Sequence, residues 1–210
     1  MMKKNKWMII LASLVTISPM FVGLILWNRL PDEIATHFDS ANAANGWSSK
    51  PVAVFGIPLF LLAMHLLCIG VTMNDPRRKN ISEKMFQFII WIVPAASLIC
   101  CLSSYAIALG IEVNIGMIVN IMVGIVFMIL GNYMHKVKQN YTVGIKIPWT
   151  LDSEENWNRT HRLASWLWIL SGVVFLINGI LQLGWLLVAI LMVSVLVPIV
   201  YSFVLYKKGI

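Results

Sequence analysis

The side chains of this sequence that could do chemistry lie mostly in two polar stretches. In the first, His37 and Asp39 stand two residues apart, a spacing that could suggest a metal site. Zinc needs three or four ligands, so this pair is weak evidence, and we expect no bound metal. The second stretch holds the groups that an enzyme at the membrane surface could use: Asp152, Glu154, Glu155 and His161. No motif typical of a hydrolase, zinc protease or nucleotide-binding enzyme is present, so we predict neither catalysis nor a cofactor.

The rest of the sequence is too apolar for a soluble protein. Of its 210 residues, 59% are hydrophobic and 12% are charged, and the mean hydropathy is +0.81. A soluble domain has about 25% charged and 45–50% apolar residues. The composition therefore excludes a soluble enzyme, a disordered chain, a coiled coil and a conventional nucleic-acid binder. Cys68, Cys100 and Cys101 all lie in apolar runs, which does not indicate a disulfide framework.

Six apolar stretches are long enough to cross a bilayer, which takes about 20 residues of helix. They are Trp7–Trp27, Pro51–Met73, Phe86–Leu109, Ile115–Met134, Leu163–Leu181 and Trp185–Tyr206. The first is too long for the apolar part of a signal peptide, so we expect it to remain as a span. The sequence predicts an all-α integral membrane protein with six transmembrane helices.

The polar groups inside these stretches favour packing over transport. The stretches contain no Asp, Glu, Lys or Arg, and His65 near the centre of the second is expected to be a hydrogen-bonded structural group. Asn120, Asn132 and Asn178 are candidates for hydrogen bonds between helices.

The basic residues predict the orientation. Fourteen of the sixteen lysines and arginines fall on the side that holds both termini, and only Arg29 and Lys50 fall on the other. Cytoplasmic segments are enriched in lysine and arginine, so both termini should be cytoplasmic. The net charge of +7 is then mainly an orientation signal and requires no direct contact with nucleic acid.

Two connections are long enough for recognition, the external residues 28–50 and the cytoplasmic residues 135–162. In the external loop, Asn45-Gly46 has the chemistry of a turn. In the cytoplasmic loop, Gly144 and Pro148 predict an extended turn over residues 144–150, and Asp152 or Ser153 can cap a short helix after it. Trp157, His161 and Trp168 could share one face of that helix. Trp149 and Trp157 could equally be anchors at the membrane interface.

The residues of the cytoplasmic loop resemble a known signature. The matching positions are Gly131, Asn132, Asn140, Gly144, Ile145, Pro148, Trp149, Thr150, Leu151, Trp157, Thr160, His161 and Arg162. In order and spacing they are similar to the signature of the SdpI family, bacterial multi-span membrane proteins named for immunity to the sporulation-delaying-protein toxin. Lys146-Ile147 departs from the Arg-Thr that is common there, which loses a bidentate guanidinium.

The external loop resembles the small domain of unknown function that often precedes this signature. Its matching residues are Leu30, Pro31, Ile34, His37, Phe38, Gly46, Trp47 and Lys50. It departs from that pattern at Ala35, Asn42 and Ala44, where proline, glycine and proline are usual. We expect two regions, residues 1–73 with external loop 28–50, and residues 86–206 with signature loop 131–162.

The resemblance implies a function in the bacterial cell membrane. It implies protection against a secreted, membrane-active peptide toxin, met by the external candidates Pro31, His37, Phe38, Trp47 and Lys50. It also implies signalling, in which the toxin-engaged protein holds a cytoplasmic, ArsR-like transcriptional repressor at the membrane. The cytoplasmic loop would meet the repressor or hold the shape that does. The alternatives are an exporter of a hydrophobic peptide or lipid and, with less support, an enzyme at the membrane interface.

Overall fold

The computed structural model describes residues 2–39 and 41–210, with side chains from residue 5 onward. The long helices are α1 (Met2–Ile25), α2 (Ile57–Met73, entered through a π-helical turn at Val52–Gly56), α3 (Glu83–Ala108), α4 (Ile115–Met134), α6 (Glu154–Leu181) and α7 (Gly184–Lys207). The short elements are the strands β1 (Glu33–Phe38) and β2 (Ala44–Ser49), a 3-10 turn at Arg78–Asn80 and helix α5 (Pro148–Asp152).

Within the described residues, six helices are long and apolar enough to cross a membrane. They confirm the predicted six-span, all-α membrane fold. The largest difference in bounds concerns α6, which begins at Glu154, whereas the predicted fifth span begins at Leu163. The short helix expected after residue 152 and the fifth span are therefore one continuous helix. Ser153 caps it, because its hydroxyl accepts a hydrogen bond from the Asn156 amide at 3.2 Å.

The chain forms two compact units. The first combines Met1–Gly70 with Phe86–Ile118, and the second combines Val71–Met85 with Val119–Ile210. The first unit thus contains the strands, and the second contains the whole signature loop.

In the first unit, close contacts join α1 to the π-helical turn before α2 and to α3. A Cβ atom on Gly23 would lie 2.7 Å from a methyl carbon of Val54, so glycine is required for this approach. The Ser97 hydroxyl donates to the backbone carbonyl of Thr16 at 2.7 Å. The Gln87 amide donates to Asn5 at 3.2 Å, so the beginnings of α1 and α3 lie at the same end of this unit.

The polar loop of the first unit folds as a β-hairpin, which the sequence did not predict. Strands β1 and β2 are antiparallel, and the hydroxyls of Thr36 and Ser48 are 3.0 Å apart across the pair. The hairpin packs at its base on a buried apolar cluster, to which it contributes Ile34.

The turn of the hairpin lies earlier than predicted. The carboxylate of Asp39 accepts hydrogen bonds from the amides of Ala41 and Ala43, both at 2.9 Å, and these bonds form the turn between the strands. Asn45-Gly46 lies within β2 instead, so the prediction of a turn there is wrong. Gly46 packs against the facing strand, since a Cβ atom on it would be 2.9 Å from Cβ of His37.

In the second unit, α4 and α6 are antiparallel and meet along small residues. A Cβ atom on Gly124 would lie 2.8 Å from the carbonyl oxygen of Gly172, and one on Gly131 would lie 2.9 Å from that of Ser165. Small residues let helix backbones approach closely in a membrane. Further along this contact, the amide of Asn178 donates to Asn120 at 3.0 Å. The prediction that Asn120 and Asn178 join helices is confirmed.

Candidate functional site

The signature loop, residues 131–162, is organised first by one buried amide. Asn140 is fully buried, and its Nδ2 donates to the carbonyls of Lys138 at 2.9 Å and Val143 at 3.0 Å. Its Oδ1 accepts from the amides of Thr142 at 2.9 Å and Val143 at 2.6 Å. One side chain therefore fixes the turn that follows α4, a use of asparagine that is common in turns.

Gly144, Trp157 and His161 form the centre of the loop. Gly144 has a φ of +117°, and a Cβ atom there would lie 2.4 Å from Nε2 of His161. Glycine is therefore required both by the backbone conformation and by the space. The rings of Trp157 and His161 stack with centroids 3.9 Å apart, and the Trp157 indole donates to the carbonyl of Val137 at 2.7 Å. Because Trp157 is fully buried, it is not an anchor at the membrane interface.

The hydrogen bonds of His161 define its tautomer. The amide of Ile145 donates to Nε2 at 3.0 Å, so Nε2 carries no proton. Nδ1 must then carry the proton, which it donates to the carbonyl of Trp157 at 2.8 Å. Both ring nitrogens of the neutral imidazole are thus used by the backbone. This arrangement holds the loop and leaves no ring nitrogen for acid–base chemistry.

The segment expected as an extended turn over residues 144–150 is helical from Pro148, so that prediction is wrong at its end. Proline suits the first position of a helix, because its fixed φ is already helical and no amide hydrogen is needed there. The buried hydroxyl of Thr150 contacts the carbonyls of Ile145 at 2.8 Å and Ile147 at 2.9 Å. It also accepts from the Ile147 amide at 3.1 Å, which joins α5 to the preceding turn.

Aromatic and polar contacts then attach the loop to α7. Trp149 stacks on Tyr206, with ring centroids 5.8 Å apart. The buried amide of Asn156 donates to the carbonyl of Ser202 at 3.0 Å and accepts from the Ser202 hydroxyl at 2.5 Å. The hydroxyl of Thr160 donates to the same Asn156 oxygen at 3.1 Å. Trp149 and Thr160 therefore belong to the packing of the second unit.

Three signature residues remain exposed: Asn132, Pro148 and Arg162. Arg162 lines a groove of about 550 Å³ whose other walls are His135, Glu154, Glu155, Asn158 and Arg159. The structure thus brings most of the signature together as a buried scaffold and leaves Arg162 at its surface.

Asp75, in the connection between α2 and α3, is a site residue that sequence reasoning missed. It is buried, and its Oδ2 accepts from the Tyr141 amide at 2.9 Å and the Thr142 hydroxyl at 2.8 Å. Its Oδ1 accepts from the Arg77 amide at 2.7 Å. Asp75 therefore ties this connection to the turn built by Asn140. The available signal was a single acid beside Pro76 in an otherwise basic loop.

Arg77 and Gln139 extend this attachment to α5. The Arg77 guanidinium donates to the Gln139 side chain and lies 4.9 Å from the centre of the Tyr141 ring. Gln139 in turn donates to the carbonyls of Thr150 and Leu151, both at 2.8 Å. We call Asp75, Arg77, Gln139 and Thr142 the polar clamp.

In the hairpin, the predicted site residues divide into exposed and anchoring groups. Pro31, His37 and Trp47 are exposed, Trp47 by 58%, and Phe38 is half-buried. His37 contacts Asn45 at 2.5 Å, and no group of three metal-binding side chains occurs in the described ranges 2–39 and 41–210. Lys50 lies at the base of the hairpin, where it pairs with Asp32 at 3.2 Å.

The hairpin borders a groove of about 660 Å³. Its walls are Phe38, Asn42, Ala44, Ile107, Gly110, Ile111, Glu112, Val113 and Asn114. Asn42, a departure from the family pattern, holds this groove together. Its side chain donates to the Val113 carbonyl at 3.1 Å and accepts from the Ile115 amide at 2.8 Å, which fixes the turn of the hairpin on the α3–α4 connection.

The described residues form six apolar helices that carry no charge along most of their length. These helices define an integral membrane protein of the multi-pass class. Comparison with known proteins shows what the chain is similar to. The model of the SdpI/YfhL protein family matches residues 136–202, and a domain of unknown function, DUF1648, matches residues 14–62. The chain is 29% identical over 205 residues to the immunity protein SdpI of Bacillus subtilis (strain 168), covering 96% of this chain and 93% of that protein. No solved structure matches the chain. The chain is thus similar to the SdpI family in its signature region and along most of its length, and it resides in the cell membrane.

Proposed function

We propose that this protein confers immunity to a secreted, membrane-active peptide toxin. The observation that carries the proposal is the similarity to an immunity protein along 96% of the chain, which includes both the hairpin and the signature loop. A second support is that the hairpin has exposed side chains beside a groove, whereas most residues of the signature loop are buried.

The hairpin and its groove are the proposed contact for the toxin. Trp47 presents a large, mostly exposed indole, of the kind that contributes strongly to binding. The acids of this region are Asp32, Glu33, Asp39 and Glu112, against Arg29 and Lys50. Since Lys50 is already paired with Asp32, the surface has an excess of negative charge that suits a cationic, partly apolar peptide.

We propose that the hairpin faces the outside of the cell and the signature loop faces the cytoplasm. The distribution of lysine and arginine supports this orientation. Labelling with a membrane-impermeant maleimide tests it on the exposed positions Ala43→Cys and Asp152→Cys. The native cysteines lie within spans and set the background. Ala43→Cys should react in intact cells and Asp152→Cys only after permeabilisation, and reaction of both in intact cells would refute the orientation.

We further propose that the signature loop recruits an ArsR-like repressor when toxin is bound. The buried signature residues support a role in holding the shape of the loop. The contact itself would involve the exposed residues Lys138, Tyr141 and Lys146. These would suit an acidic patch on the repressor. Binding outside must favour one arrangement inside for a signal to pass.

Immunity is tested by growth of a toxin-sensitive bacterium that expresses this chain. The cells are challenged with a panel of secreted peptide toxins that includes sporulation-delaying protein. We expect survival with at least one peptide, and sensitivity of cells that express Trp47→Ala at equal membrane abundance. Equal killing of cells with and without the chain by every peptide would contradict the proposal.

We propose that protection occurs without turnover of the toxin. In support, both nitrogens of His161 are used by the backbone, and Glu155 is paired with Arg159 at 2.5 Å. Mass spectrometry of the medium after challenge should recover the peptide intact. A cleaved or modified peptide that appears only with the expressed chain would indicate an enzyme instead.

A further inference from the structure

The exposed face of α6 changes character between Arg162 and Trp166. Glu154, Asn158 and Arg162 are exposed at four-residue spacing, so they lie on one face of the helix. The same face continues with exposed apolar residues: Trp166 (68%), Leu170 (61%), Val173 (42%) and Ile177 (50%). The hydrocarbon region therefore begins near Trp166. One helical turn, about 5.4 Å, separates it from Arg162, which places Arg162 at the level of the lipid headgroups.

At this level the structure has the groove of about 550 Å³ that contains Arg162. Of its charged residues, Arg159 and Glu155 pair with each other at 2.5 Å. The side chain of Arg162 has no hydrogen bond or ion pair within the described part of the chain. The remaining acid, Glu154, lies eight residues earlier on α6, about 12 Å toward the water side. The end of the groove nearest the membrane therefore holds an unpaired cation.

His135 lies on the opposite wall of the groove, and only one of its ring nitrogens is used in a hydrogen bond among the described residues. Its Nδ1 is 3.2 Å from the hydroxyl of Ser165. That hydroxyl already donates its proton to the carbonyl of Gly131 at 2.7 Å, so Nδ1 must be the donor to Ser165. Nε2 is then the atom of His135 that remains for a ligand in the groove. It accepts a hydrogen bond when the ring is neutral and donates one when the ring is protonated.

We propose that this groove binds the headgroup of an anionic phospholipid, phosphatidylglycerol. The planar guanidinium of Arg162 can donate two parallel hydrogen bonds to the phosphate. Asn158, one turn nearer the water, offers an amide to the glycerol hydroxyls. The indole of Trp166, one turn deeper, lies where the upper acyl chain would pass, as interfacial tryptophans commonly do.

Two features favour a lipid over a soluble phosphate. The cationic end of the groove is the end nearest the apolar face of α6, so a ligand with an attached acyl chain continues naturally along Trp166 and Leu170. Glu154 lies at the opposite end, where it would repel an anion that approaches from the water. This lipid site is independent of toxin immunity, since it needs neither the hairpin nor a toxin.

The test uses the full-length protein in phosphatidylcholine nanodiscs with spin-labelled lipids. Electron paramagnetic resonance measures the relative association of labelled phosphatidylglycerol over labelled phosphatidylcholine. We expect the wild type to prefer phosphatidylglycerol and Arg162→Gln to lower that preference about fivefold, the effect of one basic residue at a membrane surface. The matched control is Arg159→Gln. It removes the same charge one turn away, from an arginine that is already paired with Glu155, and it should lower the preference less than about twofold.

Three results would overturn the proposal. The wild type could show no preference for phosphatidylglycerol, or both variants could lower it equally, which would mean a general effect of charge. Displacement of the labelled lipid by excess inorganic phosphate would indicate a phosphate-ion site instead. Thermal unfolding in the same nanodiscs verifies the fold of each variant, and Arg162→Lys, which keeps the charge but loses the planar fork, should fall between the wild type and Arg162→Gln.

Discussion

The signature loop and the hairpin use their characteristic residues in opposite ways. In the loop, Asn140, Trp157 and His161 are buried, and their polar atoms bond to the backbone. In the hairpin, His37 and Trp47 are exposed on a strand pair that is held mainly by its own ladder and base. A motif that is equally recognisable in sequence can therefore be a scaffold in one region and a surface in the other, and burial distinguishes the two.

This difference has a consequence for how substitutions should act. A substitution in the buried loop should first lower the stability of the second unit and only through it any activity. A substitution at an exposed hairpin residue should change recognition at nearly constant stability.

The largest effect is expected for Gly144→Ala. A side chain at a φ of +117° costs about 1–2 kcal/mol, and the added carbon would meet His161 at 2.4 Å, with an overpacking cost of about 1–3 kcal/mol. We expect a loss of about 3 kcal/mol in the free energy of unfolding, measured by thermal or denaturant unfolding in detergent.

Gly110→Ala is the matched control for this prediction. Gly110 also has a positive φ, +82°, but no atom lies within 4 Å of the position that its Cβ would take. It should cost only the conformational part, about 1–2 kcal/mol. Equal losses at the two positions would show that the contact with His161 is not a tight one.

A smaller loss is expected for Asp75→Asn in the polar clamp. The carboxylate accepts three hydrogen bonds, and the amide that replaces one oxygen would face a donor. Hydrogen bonds to a charged group contribute about 1.5–3 kcal/mol, so we expect a loss of about 2 kcal/mol in the same unfolding measurement. Asp152→Asn, which makes the same change at an exposed site, should stay within about 0.5 kcal/mol of the wild type. If Asp75→Asn is as stable as this control, Asp75 does not contribute to the stability of the scaffold.

The smallest effect on stability is expected for Trp47→Ala, because most of the side chain is exposed. Its unfolding free energy should change by no more than about 0.5 kcal/mol. The toxin concentration that inhibits growth should nevertheless fall by about tenfold or more. That change corresponds to an aromatic anchor that contributes at least about 1.4 kcal/mol to the binding free energy. Trp185→Ala, another exposed tryptophan at 68%, serves as the control that should keep protection.

The sequence predicted the helices well, because long apolar stretches have few alternatives in a membrane. It also identified Gly144 and Pro148 as residues that shape the backbone. It did not predict the hairpin, because Asn45-Gly46 has the residue types of a turn, whereas the turn is made by the carboxylate of Asp39. It missed the helical start at Pro148 because the stabilising partner, Thr150, acts through hydrogen bonds that no local pattern specifies.

The polar clamp could not be predicted because it joins residues distant in sequence. Asp75 and Thr142 are 67 positions apart, and nothing local distinguishes this carboxylate from a solvated one. Likewise, a tryptophan near the start of a span is typical of an interfacial anchor. Trp157 is instead a core residue, because Gly144 leaves room beside it. Both cases depend on tertiary packing.

The contrast between scaffold and surface is tested most directly by a paired measurement on Trp157→Phe and Trp47→Ala. Melting temperature, membrane abundance and protection against the same peptide toxin are determined on the same membranes. Trp157→Phe removes the indole that donates to Val137, so its melting temperature should fall, and its protection should fall only in proportion to its abundance. Trp47→Ala should keep the wild-type melting temperature and lose protection. Full protection by Trp47→Ala, or lost protection by Trp157→Phe at wild-type stability and abundance, would contradict the account.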